Sequence, residues 1–243
     1  MVEVLADYQL VSNRAAGIIA DQIRATPRGV IGLATGGTPV GAYDRLVALH
    51  QTQGLDFSNL TTFNLDEYVG LSPDHPQSYH SFMWQHLFSH VNIRASHAHV
   101  VSGLAHDFDQ ACAEWEHRIE ASGGIDLQIL GIGSNGHIAF NEPGSTLTSR
   151  TRVVELAERT VQDNARFFDR PDEVPRTAVT MGIGTILEAR RLLLMATGDH
   201  KAHAVAVALE GPVTSDVPAS ALQRHANVHV LLDTAAASQL NSV

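Results

Sequence analysis

The residues best suited to chemistry lie between Ile125 and Ser145, in the stretch IDLQILGIGSNGHIAFNEPGS. Ile125 to Leu130 is an apolar run with Asp126 as its one charge, the composition of a strand buried inside a sheet. Gly131, Gly133 and Gly136 follow, where the chain can take positive φ or come close to a ligand. Asn135, His137, Asn141 and Glu142 are interleaved with them or come just after. A histidine oriented by a carboxylate or an amide moves protons near neutral pH, which makes His137, Glu142 and Asn135 an acid–base candidate. A lone histidine is usually structural, but this one falls beyond the carboxyl end of a strand, where open α/β sheets bind ligands. Ser134 lacks the GxSxG context of a nucleophile elbow.

Other segments could complete such a site. Asp66 and Glu67 follow the apolar run Leu60 to Leu65 and read as the end of a third strand. Side-chain alternation sends adjacent carboxylates in different directions, so one can serve as a general base and the other as support. The segment Leu33 to Tyr43, LATGGTPVGAY, has the form of strand, glycine turn and helix start. Backbone N–H groups of Gly36, Gly37 and Thr38, with the hydroxyls of Thr35 and Thr38, would form an anion site at the helix N-terminus. An ordinary tight turn has much the same composition, and the spacing fits neither a dinucleotide fingerprint nor a P-loop. Arg166 in NARFF and Lys201 in TGDHKAH are the candidate cations, Lys201 falling in the first turn after a strand and a Gly-Asp turn, near the edge where ligands bind.

These residues need a scaffold that alternates strands and helices. A strand or strand start is predicted from Val2 to Val11, with Ser12 and Asn13 capping a helix that runs to about Ala25. Gly29 to Leu33 is a strand, and Thr38-Pro39 opens a helix to about Gln53. Ser78 to His90 and Asp107 to Ser122 read as helices, with a short strand at His99 to Val101. Pro175 to Val179 leads into a buried segment, and Ile183 to Ala189 is helical. Arg191 to Thr197 is a strand, a helix runs from near Asp199 to Leu209, and Val228 to Leu232 is a last strand. This pattern suits right-handed βαβ crossovers in a single α/β domain over residues 1–243. The polar stretch from Ser145 to Arg176 is a candidate lid, and the tail after Asp233 is expected to fray.

Composition narrows the partners. A net charge of -10 argues against nucleic acid, which requires a basic footprint, but allows a small anion bound by a few local groups. The N-terminus has no targeting signal and no run reaches membrane-spanning length, so a cytoplasmic protein is expected. Cys112, the one cysteine, falls among packed positions of a helix and reads as a structural thiol. His86 with His90, and His200 with His203, have spacings that suggest a metal. Without HExxH or a cysteine cluster they read as surface or packing residues.

Taken in order, LATGGTPVGAY, FNLDEYVGL, HPQSYHSFM, LGIGSNGHIAFNEPGS, NARFF and GPVTSDVPAS resemble the glucosamine-6-phosphate deaminase family over almost the whole chain. The resemblance implies a Rossmann-like three-layer α/β domain with a mainly parallel central sheet flanked by helices. It also implies conversion of glucosamine 6-phosphate and water to fructose 6-phosphate and ammonia in amino-sugar catabolism, with no metal or organic cofactor. Position by position, Asp66 matches the base that moves a proton between C2 and C1, and His137 the ring-opening acid–base group, assisted by Glu142 and Asn135. Gly36, Gly37, Thr38, Arg166 and Lys201 would hold the phosphate, with Thr35 facing substrate and Glu67 orienting the site. Some relatives carry Asp where Asn135 stands, and an amide cannot titrate. Ser145 and Arg152 match part of a site for an N-acetylated activator in longer relatives. Val154 replaces an expected lysine and the tail that would supply an aromatic is not found, so no such activation is expected. Whether the chain is monomeric or a homo-oligomer is left open.

Two other readings keep some of these features. A phosphosugar lactonase or another isomerase would use the phosphate turn and a histidine without an Asp66 proton relay. A non-catalytic sugar-phosphate sensor would bind through the turn, with no need for Asp66, His137 and Glu142 together.

Overall fold

The computed structural model describes residues 1–168 and 170–241. Its strands are β1 (Val2–Leu5), β2 (Val30–Leu33), β3 (Thr61–Asn64), β4 (Asp66–Tyr68), β5 (Ala98–His99), β6 (Leu127–Leu130), β7 (Arg152–Glu155), β8 (Thr177–Thr180), β9 (Leu192–Ala196) and β10 (Val228–Asp233). The helices are α1 (Tyr8–Ala25), α2 (Gly37–Gln53), α3 (Tyr79–His86), α4 (Phe108–Ala121), α5 (Glu158–Asn164), α6 (Ile183–Leu187) and α7 (Ala202–Glu210).

Among the described residues, seven strands form a parallel sheet in the order β1-β10-β9-β6-β2-β3-β5. Strands β2, β6 and β9 are buried at every position, as expected of continuous apolar runs covered on both faces. The chain runs outward from β2 through β3 to β5, then returns to place β6 on the other side of β2. The direction of winding therefore reverses between β2 and β6, which opens a crevice at their carboxyl ends. The glycine turn after β2 and the His137 loop after β6 both fall there.

A second, antiparallel sheet in the order β4-β8-β7 lies outside that frame. Leu65 alone separates β3 from β4, so the chain changes sheets across one residue. Asp66 and Glu67 thus belong to a short strand paired with Thr180 and Val179, rather than to the tip of the third parallel strand. Tyr68, Phe140, Leu156, Val161, Val174 and Ala178 form a small apolar cluster separate from the main core. The supposed lid contributes β7, α5 and part of this cluster, so its polar composition conceals an ordered unit.

Other expectations are corrected at element ends. Asp7 caps α1, its side chain accepting the Leu10 N–H at 2.8 Å, so Tyr8 to Val11 are helical and Ser12 is buried inside the helix. The β-branched and aromatic residues there imitate a strand locally, but Val11, Ala15, Ile18 and Ile19 share a buried helical face. Beyond Asp233 the tail is held in place: Ala236 is buried, and Asn241 donates to Glu210. Residues 242–243 lie outside the described residues. Cys112 is buried and free, and burial, with Asp109 and Glu116 nearby, raises its thiol. His86 packs against the Phe82 ring and His90 meets the Gln85 carbonyl. Among the described residues no group of three or more His, Cys, Asp or Glu could hold a metal ion. Nor is any described helix long and apolar enough to cross a membrane.

Candidate active site

The first component is the N-terminus of α2. Gly36 has φ 96°, left-handed backbone that favours glycine, and α2 begins at Gly37 with no side-chain cap. Open space lies where a Cβ on Gly36 or Gly37 would project. The first N–H groups of a 17-residue helix therefore face an accessible turn, the arrangement that binds anions. Tyr8 steadies this end from α1: its hydroxyl donates to the Gly37 carbonyl and accepts the Gly41 N–H.

Next to β2, the chain leaving β3 supplies the carboxylates. Asp66 is 5% exposed, and burial followed by the Glu67 charge pushes it well above the usual carboxylate range. Glu67 is buried too, but its oxygens accept the backbone N–H groups of Tyr68, Tyr79 and His80 at 2.8–3.0 Å. Burial raises Glu67 and those three donors oppose the rise. By reaching the first turn of α3, Glu67 fixes that helix against the Asp66 strand. Tyr79, on the same turn, interacts with the hydroxyls of Tyr68 and Thr35, which links α3 to the phosphate turn. Rings of Tyr68, Tyr79 and Phe140 pack with centroids 5.0–5.9 Å apart and join this strand to the next loop.

That loop follows β6 on the other side of β2. His137 Nδ1 stands 3.5 Å from Glu142 Oε2, an ion-pair distance rather than a well-formed hydrogen bond. Asn135 Nδ2 donates to the same Glu142 oxygen at 2.8 Å, while Asn135 Oδ1 accepts the His137 backbone N–H at 3.2 Å. Thr160, from α5, donates to Glu142 Oε1. Burial raises Glu142, but the close approach and charge of His137, with the bonds from Thr160 and Asn135, outweigh it and hold the carboxyl at about 2. One glycine of the loop is explained by the ring itself. A Cβ on Gly133 would lie 2.2 Å from His137, so Gly133 makes room for the imidazole. Asn141 lies apart from the reactive groups: its buried amide donates to the Ile138 and Met181 carbonyls and accepts from Arg152. Arg152 also reaches Ser145, at 3.3 Å.

Lys201 follows β9 in the 3-10 turn Asp199–Lys201, which Gly198 enters at φ 90°. Two carboxylate oxygens of Asp233 accept the Gly198 N–H and fix this turn to β10. Arg166 is exposed in the 3-10 turn Ala165–Phe167, its guanidinium 4.7 Å above the Phe167 ring. The neighbouring Asn164 and Phe168 reach Tyr68, so the segment carrying Arg166 is anchored beside the Asp66 strand. Adjacent strands β9, β6, β2 and β3 thus present Lys201, the His137–Glu142 pair, the glycine turn and Asp66 beyond one end of the sheet. Sequence reasoning missed Thr160, Tyr68 and Tyr79. Aromatic residues in FNLDEYVGL and QSYHSFM were a usable signal for the tyrosines, whereas a threonine in a polar stretch carried none.

Comparison with known proteins agrees with this geometry. The family described as glucosamine-6-phosphate isomerases/6-phosphogluconolactonase matches residues 6–231. A glucosamine-6-phosphate deaminase from Rhodopirellula baltica is 54% identical over 240 residues, covering 99% of this chain and 96% of the relative. Glucosamine-6-phosphate deaminase 2 of Bacillus subtilis is 53% identical over 237 residues, covering 97% and 95%. Among solved structures, a monomeric glucosamine-6-phosphate deaminase superposes with a TM-score of 0.96 at 50% identity, covering 98% of this chain and 99% of that one. A 6-phosphogluconolactonase from Trypanosoma brucei shares the fold at a TM-score of 0.78 and 22% identity, covering 99% and 98%. With a Rossmann-like parallel sheet and a family match across nearly its full length, the chain belongs to the glucosamine-6-phosphate isomerase/6-phosphogluconolactonase family.

Proposed function

We propose that this protein is a glucosamine-6-phosphate deaminase, producing fructose 6-phosphate and ammonia in the cytoplasm. The observation that carries the reading is the pairing of a buried Asp66, beside Glu67, with a separate His137–Glu142 pair on either side of the glycine turn. A lactone hydrolysis needs no base for a carbon acid, and a sensor needs neither group. Relatives near 50% identity that carry the deaminase name support the same reading.

In this account the phosphate binds at Gly36, Gly37 and Thr38, with Thr35 alongside and Arg166 and Lys201 supplying positive charge. Anchoring one end of the sugar sets C1 and C2 within reach of both acid–base groups. His137, kept in orientation by Glu142 and Asn135, moves the proton between O1 and the ring oxygen as the pyranose opens. The C1 aldehyde then acidifies the C2 hydrogen. Asp66 takes that proton, giving an enolamine, and returns it to C1, which leaves an imine at C2. Water adds to the imine, and the carbinolamine expels ammonia to leave the C2 ketone. A carboxylate raised by burial accepts a proton more readily than a solvated one, which suits Asp66 to the C2 step. Glu67 acts through the backbone of α3 and positions the strand that bears Asp66.

The test is ammonia and fructose 6-phosphate release from glucosamine 6-phosphate, with EDTA present. Both products should appear in equal amounts. Binding of the sugar phosphate without ammonia would overturn the deaminase reading in favour of a sensor.

A further inference from the structure

Helix α5 takes no part in the reaction steps, yet two of its side chains reach the groups that do. Thr160 and Asn164 are four residues apart and leave the helix on one face. Thr160, 5% exposed, donates its hydroxyl to Oε1 of Glu142. Asn164 Nδ2 donates to the Tyr68 hydroxyl at 2.8 Å, and Tyr68 shares strand β4 with Asp66 and Glu67. Val161, between them, is buried in the small apolar cluster with Tyr68 and Phe140. The helix then passes directly into the turn that carries Arg166.

We propose that Thr160 is a positioning residue: its hydroxyl fixes the plane of the Glu142 carboxylate so that Oε2 faces His137, and it ties the Arg166 segment to the acid–base pair. The proposal rests on the deaminase reading and extends it. A glutamate carboxylate held at one oxygen can turn about its last torsion, which has a broad, shallow preference. Asn135 holds Oε2 and Thr160 holds Oε1, so donors on both oxygens remove that freedom. His137 is the titratable group that faces Glu142, and Asn135 and Thr160 donate without titrating. Loss of the Thr160 hydroxyl therefore raises the Glu142 carboxyl and loosens the ring opposite it.

Thr160→Val keeps the shape and removes the donor, whereas Thr160→Ser keeps the donor. Turnover and KM for glucosamine 6-phosphate are measured across pH for both variants, with thermal melting to check folding. The valine variant should turn over about tenfold more slowly, with KM little changed and the Glu142 carboxyl, followed by 13C NMR, titrating at higher pH. Serine should restore both. A valine variant with wild-type turnover and an unmoved Glu142 titration, even with a lowered Tm, would overturn the proposal, as would a serine variant equally impaired. That NMR readout is independent of activity, and the Glu142 signal is identified by its loss in Glu142→Gln. That titration should move in Thr160→Val and not in Thr160→Ser. If wild-type protein releases no ammonia, the deaminase reading fails, and an unmoved Glu142 titration would separately sink the role of Thr160.

Discussion

Asp66 and Glu142 are both largely buried carboxylates, placed after strands that flank β2, and their surroundings drive them in opposite directions. Burial is the largest influence on each. Around Asp66 the neighbouring Glu67 charge adds to it, and both push the carboxyl upward. Around Glu142 it is outweighed by the close approach and charge of His137, with donors from Thr160 and Asn135, so the charge is kept, with a pKa of about 2. Two carboxyl groups pushed apart in this way are suited to different work: one is biased toward holding a proton and the other toward staying an anion. The difference comes from neighbours together with depth, since Asp66 is more fully buried than Glu142. A site reading based on residue type alone would give both the same role.

Substitutions can break or sharpen this contrast. The largest effect is expected from Asp66→Asn, which removes the C2 base and should lower turnover about 10²–10⁴-fold while sugar-phosphate affinity is largely retained. Steady-state kinetics with a binding titration checks it, and near-wild-type turnover would contradict the assignment. Glu142→Gln should slow the reaction less, by roughly tenfold to a hundredfold, because it leaves the imidazole in place but unaligned. In Asn135→Asp, a donor to Glu142 becomes a second negative charge, so the carboxyl pair retains a proton to higher pH. The acidic limb of its pH–rate profile should move upward. Glu67→Gln should give the smallest shift, in the other direction: removing the like charge beside Asp66 lowers that carboxyl and the limb it controls. A pH profile unchanged in both variants would mean that these neighbours do not set the two environments.

Much of the main sheet and the motif residues were legible in the sequence, because β2, β6 and β9 are mainly apolar runs, with Gln128 the polar exception, and glycines follow each within three residues. The second sheet was not. Strand β4 is only Asp66–Tyr68, and β7 alternates half-buried with exposed positions, so neither carries a strong periodic signal. Leu65 continues the apolar run of β3 and hides the change of sheet. The reach of Glu142 to His137 was expected, but the support from Thr160 depends on α5, whose polar sequence gives no hint of what it covers. Gly133 shows a third kind of gap. Its need for glycine comes from a side chain four residues ahead, which spacing alone does not reveal.

The most direct measurement is a pair of urea unfolding curves at pH 7 for Asp66→Asn and Glu142→Gln, without substrate. The raised Asp66 pKa favours the folded state below its ordinary value, and that contribution is lost as pH rises through the folded value. Raising pH toward neutrality therefore costs stability that an amide does not lose, and Asp66→Asn should stabilise the protein. The lowered Glu142 pKa contributes stability above its ordinary value that is lost only as pH falls through about 2. Removing that charge while its donors remain should destabilise by about 1–3 kcal/mol. Opposite signs for the two substitutions are predicted, and shifts of the same sign would contradict the division of labour between the two carboxylates.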